Sequence, residues 1–382
     1  MKALIVSNRF PTSGPESQYC FETIQAKALA ASGVDVAYAA LCLTSLKKLP
    51  KYAISHAPYV CPNLEAYIIN GPIVWRYTWL GKYLVSRALW KLYKHIFSEW
   101  GRPDVIHAHF SIYQGLAATS LAQKIHCPLI ITEHSSNVMV HDANYWTNRA
   151  SCSAWKAADR VIAVSKPLAE RIHTFSGVNA TVIHNMLDIV PFLGVKRNSE
   201  SGFGFITVGS LIPRKNHAQL LEAFAAVHSE HKDTRLGIIG EGELEQFLKD
   251  KAASLGISEA VKFYGLVAHT RMAEIYNSYD CFVFPSLHET FGVSPAEAMA
   301  SGMPVIASAC GGPEDFVRDE DGILVERGSL EALTEAMMRM YSSHGNYDGH
   351  KIRAYAEANF APEHIARKII GVYESVCSTY NG

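Results

Sequence analysis

Asp280–Ser308 reads DCFVFPSLHETFGVSPAEAMASGMPVIAS, and the order of its apolar and turn residues admits few folds. Cys281–Pro285 is a short apolar run with the composition of a buried strand. The polar loop SLHETFG follows. Ser294 and Pro295 suit the N-cap and first position of a helix that continues through Ala296–Ala300. Gly302 and Pro304 end that helix, and Pro304–Ala307 is apolar again. Strand, loop, helix and strand in this order form the unit of an open parallel sheet. Its strand-to-helix loop lies at the carboxyl edge, where such sheets bind ligands. Glu289 and Glu297 bracket the loop with seven residues between them. Spacing alone leaves two readings. Either Glu289 is a solvated loop acid and Glu297 closes an S-x-x-E capping box with Ser294, or both face a ligand at the sheet edge.

The same alternation runs through both halves of the chain. Ala3–Val6, Val34–Leu43, Asp104–His109, Pro128–His134, Ala158–Ser165 and Thr181–Asp188 read as strands, with helices expected at Tyr19–Ser32 and Tyr113–Lys124. Gly194–Gly202 is polar and reads as a linker. Strands then restart at Phe203–Val208, Thr234–Ile239, Val261–Tyr264, Cys281–Phe284, Pro304–Ala307 and Gly322–Val325. A chain of 382 residues is too long for one ordinary core, so two α/β domains are expected, each a doubly wound sheet. We place a first domain at 1–193, a second at 203–360 and a terminal helix over 361–382 (core about Pro362–Thr379).

Composition removes several function classes. A formal net charge of -1 supplies no global field for nucleic acid. The eight cysteines include no C-x-x-C pair and fit reduced thiols in a cytosolic protein. No apolar run reaches the roughly eighteen residues of a membrane span, and MKALIVSNRF is a first strand rather than a signal peptide. The 8–17 loop holds only Gly14 of the G-x-G-x-x-G pattern, which disfavours a dinucleotide enzyme.

Three further groups bear chemistry. Arg214 and Lys215 follow the strand at Phe203–Val208 and a Gly209-Ser-Leu turn. An adjacent basic pair is usually a solvated face, but at a strand's carboxyl end it suits a pair of phosphates, Arg by its planar fork and Lys by its compact charge. His109 and His134 each end a strand; without a carboxylate or cysteine companion at ligand spacing, a metal centre is disfavoured. Asp319-Glu320-Asp321 directly precedes a strand and reads as a surface turn. In Trp75–Phe97, at about 100° per residue, Arg76, Arg87, Lys91 and Lys94 share a face beside Trp79, Tyr83, Trp90, Tyr93 and Phe97, opposite Val85, Leu89, Leu92 and Ile96. That face either meets anionic lipid headgroups or packs its aromatics on a neighbouring loop while the basic chains snorkel.

The string HETFG, SPAEAMA, SGMPVIAS resembles the nucleotide-binding signature of the retaining GT-B glycosyltransferases with an E-x7-E motif (glycosyltransferase family 4, glycosyl transferases group 1). The resemblance is dense over 158–325 and mainly architectural over 1–150. It implies two Rossmann-like domains facing each other across a cleft, 1–193 binding the acceptor and 203–360 the nucleotide sugar, with the 361–382 helix returning to the first domain, and transfer of a hexosyl unit from a UDP- or GDP-linked sugar to a glycan or lipid-linked acceptor. By this resemblance Glu289 contacts the donor sugar and Glu297 the nucleotide ribose. Gly209, Arg214 and Lys215 match the diphosphate site G-x-L-x-x-x-K. Phe291, Gly292 and Val293 line the nucleotide, and His134 of T-E-H hydrogen-bonds the sugar. Gly240-Glu-Gly242 and Cys310–Glu314 match further loops, the latter also readable as a tight turn. The usual Gly-Gly of the 8–17 loop is missing, and Met186 stands where the family has Gly.

The implied chemistry needs no metal and no cofactor beyond the donor. Charge growing on the departing phosphate would be met by Arg214, Lys215 and the helix start at Gly292–Ser294. The expected setting is cytoplasmic, at the inner membrane face if 75–97 meets lipid, in cell-surface polysaccharide synthesis. A glycosidase using the two glutamates leaves Arg214 and Lys215 without purpose. A GT-B epimerase and a nucleotide-sugar-binding scaffold without turnover remain as alternatives.

Overall fold

The computed structural model describes residues 1–10, 20–45, 52–73, 79–142, 144–192 and 202–381. The chain forms two compact units, Met1–Met186 with Pro362–Gly382, and Leu187–Ala361. Residues 11–17 of the 8–17 loop, with Gly14, and 194–201 of the linker lie outside the described residues, as do Trp75 and Arg76.

The first unit is built on eight strands: β1 (Lys2–Ser7), β2 (Asp35–Ser45), β3 (Ala53–Cys61), β4 (Leu64–Ile73), β5 (Val105–His109), β6 (Leu129–Glu133), β7 (Arg160–Ala163) and β8 (Thr181–Val182). Their order is β3-β4-β2-β1-β5-β6-β7-β8. All neighbours are parallel except β3 and β4, a hairpin at the edge. Strand order reverses at β1 and β5, the point where a doubly wound sheet opens a crevice. Ala3, Ile5, Val36, Tyr38, Val105, Ile130 and Ile162 form the core, and the helix Pro362–Asn381 packs Ile365, Ala366, Ile369, Tyr373 and Val376 into it.

The second unit is an all-parallel sheet of six strands: β9 (Phe203–Val208), β10 (Thr234–Ile239), β11 (Val261–Gly265), β12 (Cys281–Phe284), β13 (Val305–Ser308) and β14 (Gly322–Val325). The order is β11-β10-β9-β12-β13-β14, and the reversal lies between β9 and β12. Helices cover both faces, so these strands are near-continuous apolar runs. Phe205, Phe224, Phe282 and Phe284 are buried here, each contributing roughly 1.5–3 kcal/mol by leaving water.

The edge hairpin β3–β4 had no counterpart in the sequence reading. Three expectations also need correction. The helix after the 286–291 loop runs Val293–Ala300 and is capped by Gly292 at φ 98°, not by Ser294. Ser294 sits in its first turn and donates to the Val208 carbonyl at 3.1 Å, so no capping box with Glu297 forms. Gly292, free of a Cβ, turns the chain sharply enough to start the helix two residues early. Thr181–Asp188 supplies only the two-residue β8, because β7 ends at Ala163, whose carbonyl takes the Ile183 amide at 3.0 Å as the last bond between them. Tyr113 lies in an irregular turn, Ser111–Gly115, and the regular helix is Leu116–Ile125.

The long helix is Trp79–Glu99. Val85, Leu89, Leu92 and Ile96 are buried, as their spacing predicts. The aromatic face divides. Tyr93 is buried and Trp90 carries Lys124 Nζ 3.8 Å from its ring centre, whereas Tyr83 and Phe97 are each 52 % exposed.

Candidate active site

In the second unit the loops after β9 and β12, which flank the strand-order reversal, carry the charged groups. After β9 the chain makes a single turn, Pro213–Lys215, and Asn216 at φ 56° leads into the helix His217–Glu230. This turn presents Arg214 and Lys215 to the loop after β12. Arg214 Nη1 lies 2.6 Å from Glu289 Oε1 and also donates to the His288 carbonyl at 2.6 Å. Lys215 Nζ lies 2.7 Å from the same Glu289 oxygen and 4.8 Å from the Phe284 ring centre. Both backbones are tied together, since the Leu287 amide donates to the Arg214 carbonyl at 2.9 Å. Gly209 lies beside Lys215, close enough that a Cβ there would contact its Cδ at 3.4 Å. Gly240 and Gly242 pack on the backbone of Gly209 and Leu211, where a Cβ would meet carbonyl oxygens at 2.0 and 2.4 Å. The G-x-G turn therefore holds the Gly209 turn in place.

Glu289 is anchored from below. Its amide donates to the Cys310 carbonyl at 2.9 Å, and the Gly312 amide donates to the Glu289 carbonyl at 3.0 Å. The Gly311 amide donates to Glu314 Oε1 at 2.9 Å, so the 310–314 turn is both a tight turn and the floor of the Glu289 loop. Phe291 is buried against Phe316 and Phe360, and it fixes the loop through packing. Gly292 and Val293 begin the following helix, whose first turn leaves amides without intrahelical partners.

Glu297, on that helix, is buried and pairs with His269 Nε2 at 3.1 Å. Burial raises the Glu297 carboxyl above its usual range, with the His269 hydrogen bond opposing. Burial works against charge on His269, but the hydrogen bond and charge of Glu297, helped by Asp188, leave its pKa raised. His269 was not singled out in the sequence; it sits in an ordinary amphipathic helix, His269–Tyr276, with no motif to mark it.

His134 lies in the first unit, just past β6. Its Nε2 is 3.0 Å from His109 Nδ1, and its ring is 4.5 Å from that of Phe21. His109 Nε2 faces the Gln25 amide nitrogen at 3.3 Å, and His107 Nδ1 meets the Tyr373 hydroxyl at 2.7 Å. His107 Nε2 meets Thr132 Oγ1 at 2.6 Å. Burial lowers His107 and His134 to about 3 and His109 well below the usual range, so all three rings are neutral near pH 7. The neighbouring Glu133 is fully buried. It accepts from the Ser111 hydroxyl and amide, the His134 and Ser135 amides, and Trp155 Nε1. Desolvation raises its pKa against these donors. Glu133 was passed over in T-E-H because a strand-end acid gives no sign in sequence of the five donors that gather on it. Among the described residues no three His, Cys, Asp or Glu side chains are gathered as for a metal ion.

The glycosyl transferases group 1 family matches residues 195–359, and glycosyltransferase family 4 matches 24–190. The chain belongs to the GT-B glycosyltransferases. It is 26% identical over 301 residues to an uncharacterized glycosyltransferase of Methanocaldococcus jannaschii, covering 71% of this chain and 75% of that one. It is 29% identical over 293 residues to a GDP-mannose-dependent alpha-mannosyltransferase of Mycolicibacterium smegmatis, covering 72% of this chain and 74% of the relative. Among solved structures, Anabaena HepE in complex with UDP superposes with a TM-score of 0.73 at 17% identity, covering 98% of this chain and 100% of that one. At that identity the likeness shows the fold alone. This glycosyltransferase thus has its Arg214, Lys215 and Glu289 at the switch point of its second sheet. His134 stands at the carboxyl edge of the first.

Proposed function

We propose that this glycosyltransferase moves a hexosyl unit, with retention, from a UDP- or GDP-linked sugar to a glycan or lipid-linked acceptor in cell-surface polysaccharide synthesis. The observation that carries the reading is the convergence of Arg214 and Lys215 on Glu289 at the carboxyl ends of β9 and β12. The departing diphosphate takes over the two cations, which stabilise the charge that builds on it in the transition state. The helix start at Gly292–Ser294 adds amides and dipole, so the step runs without a metal. Glu289, released from the cations, accepts hydrogen bonds from sugar hydroxyls, and Glu297 holds the ribose. The neutral His134 ring hydrogen-bonds the donor sugar. UDP and GDP are both kept as donor nucleotides because relatives and structural neighbours are named for each.

Peripheral contact with an anionic membrane through the long helix belongs to the same proposal. Its support is the exposed run of Tyr83, Arg87, Lys91, Lys94 and Phe97. Among the described residues no helix is long and apolar enough to cross a membrane.

Calorimetric titration of UDP and GDP into wild type and an Arg214→Ala/Lys215→Ala variant tests the core of the reading. One nucleotide binds and the double variant weakens it by at least about a hundredfold. Binding that the double variant leaves intact removes the diphosphate assignment. If neither nucleotide binds wild type, the donor-site reading fails.

A further inference from the structure

The first unit holds a pocket of about 390 Å³ that none of the assignments above uses. Lys82 reaches it from the first turn of the helix Trp79–Glu99, and Trp146 and Arg149 from the first turn of the helix Trp146–Ala157. Ile112, Tyr113 and Leu116 supply the remaining wall. No acidic side chain lines it. Lys82 and Arg149 are both exposed, and among the described residues neither has a carboxylate partner. Both cations line the same concavity, so an anion bound there would meet the two charges together.

The wall is rigid where a binding site needs it to be. Phe110 and Tyr113 are held at φ 66° and 63°, conformations that side-chain-bearing residues rarely adopt. Glu133 ties this turn to its neighbour, pinning Ser111 from the turn and Trp155 from the Arg149 helix onto one carboxylate. A buried carboxylate that joins the two elements flanking a pocket fixes the spacing of the groups they present. Trp146, 40 % exposed, adds a flat apolar face of the kind on which the C–H face of a pyranose rests.

We infer that the acceptor is a phosphate-bearing saccharide, its phosphate held by Arg149 and Lys82 and its sugar ring lying on Trp146. Arg149 brings a planar two-pronged donor and Lys82 a point charge, the combination that suits a phosphate rather than a neutral glycan. The inference rests on the glycosyltransferase reading, and it narrows the acceptor class from glycans in general to anionic ones.

The test is binding of glucose, galactose and mannose 1-phosphates against their methyl glycosides, with inorganic phosphate alongside, to wild type, Lys82→Ala, Arg149→Ala and Trp146→Ala. At least one sugar phosphate binds about tenfold or more tightly than its methyl glycoside, and each cation removed costs about tenfold. Trp146→Ala weakens the sugar phosphate and leaves inorganic phosphate unchanged. The same headgroup carried on a dodecyl chain in phosphatidylcholine vesicles separates the two sources. Tighter binding of the chain-bearing form marks a lipid-linked acceptor, and equal binding a soluble one; both support the phosphate site. Equal affinity for phosphorylated and neutral sugars, or indifference to both cation variants, overturns it. UDP and GDP titrations of the same proteins report on Arg214 and Lys215 in the second unit, so failure of the donor reading is seen separately.

Discussion

Lys215 Nζ lies 2.7 Å from Glu289 Oε1, so the cation assigned to the donor diphosphate is already paired with the carboxylate assigned to the donor sugar. Arg214 shares that oxygen at 2.6 Å. A diphosphate bound at these two cations would compete with Glu289 for both, and part of its binding energy would go into that exchange. Glu289→Gln keeps the shape and removes the competing charge. It is expected to tighten UDP or GDP by about three- to tenfold in calorimetry while slowing sugar transfer by about a hundredfold. Weaker nucleotide binding in this variant would mean that Glu289 positions the cations instead of competing for them.

Gly312 carries the Glu289 loop through a close backbone approach. A Cβ at this position would stand 2.0 Å from the Phe291 oxygen and 2.2 Å from its Cα. Neither atom can rotate away. Gly312→Ala must therefore push the 289–293 segment off the 310–314 turn, breaking the Gly312-to-Glu289 hydrogen bond. We expect a loss of about 2–4 kcal/mol in stability and at least tenfold in nucleotide affinity, read by thermal unfolding and calorimetry. Gly345→Ala, with open space around it, is the control and should be near neutral. Similar behaviour of the two variants would show that the loop accommodates the methyl group.

The second sheet was legible almost strand for strand, because its four inner strands are buried on both faces and each strand is closed by Gly, Pro or a polar turn. The Arg214, Lys215 and Glu289 cluster was legible because its members sit at carboxyl ends of adjacent strands. Partners brought in from elsewhere were not. His269 reaches Glu297 across 28 positions, and Tyr373 reaches His107 across 266. Neither pairing leaves a local pattern. Helix entry at Gly292 was misread because S-P-A-E is a sound N-terminal signature, and the glycine's positive φ is a property of the fold. The β3–β4 hairpin lies at an edge, where apolar continuity weakens and a periodicity signal fades.

The long helix makes a separate claim testable. Tyr83 and Phe97 are exposed beside Arg87, Lys91 and Lys94, while Trp90 and Tyr93 are taken up by the protein itself. Lys91 also donates to the Tyr52 carbonyl at 3.3 Å, so Arg87 and Lys94 are the freer charges. Near an anionic surface each basic residue contributes about 1 kcal/mol. Reversal of Arg87, Lys91 and Lys94 to Glu should lower association with phosphatidylserine vesicles by at least about a hundredfold in flotation, and salt should weaken wild type likewise. Unchanged flotation of the variant would remove the membrane contact and leave the face as a snorkelling surface.

The buried histidines set how the first unit responds to acid. His107 and His134 titrate in the fold at about 3, because burial penalises the imidazolium, against an ordinary value of 6.5. Between those values the unfolded chain binds protons that the folded chain does not. The neutral rings therefore contribute stability that is fully present above about pH 6.5 and is lost as pH falls toward 3. Each such ring costs about 1.4 kcal/mol per pH unit in that window. His107→Gln removes one titrating group together with its contacts to Tyr373 and Thr132. It should be less stable than wild type at pH 8, yet lose less stability on acidification, so that the two urea-unfolding midpoints converge toward about pH 5. Ring-proton NMR shifts of His107 and His134 should stay flat from about pH 8 to 5. A titration of either ring near its ordinary value would show that water reaches the cluster and that its rings can carry charge during turnover.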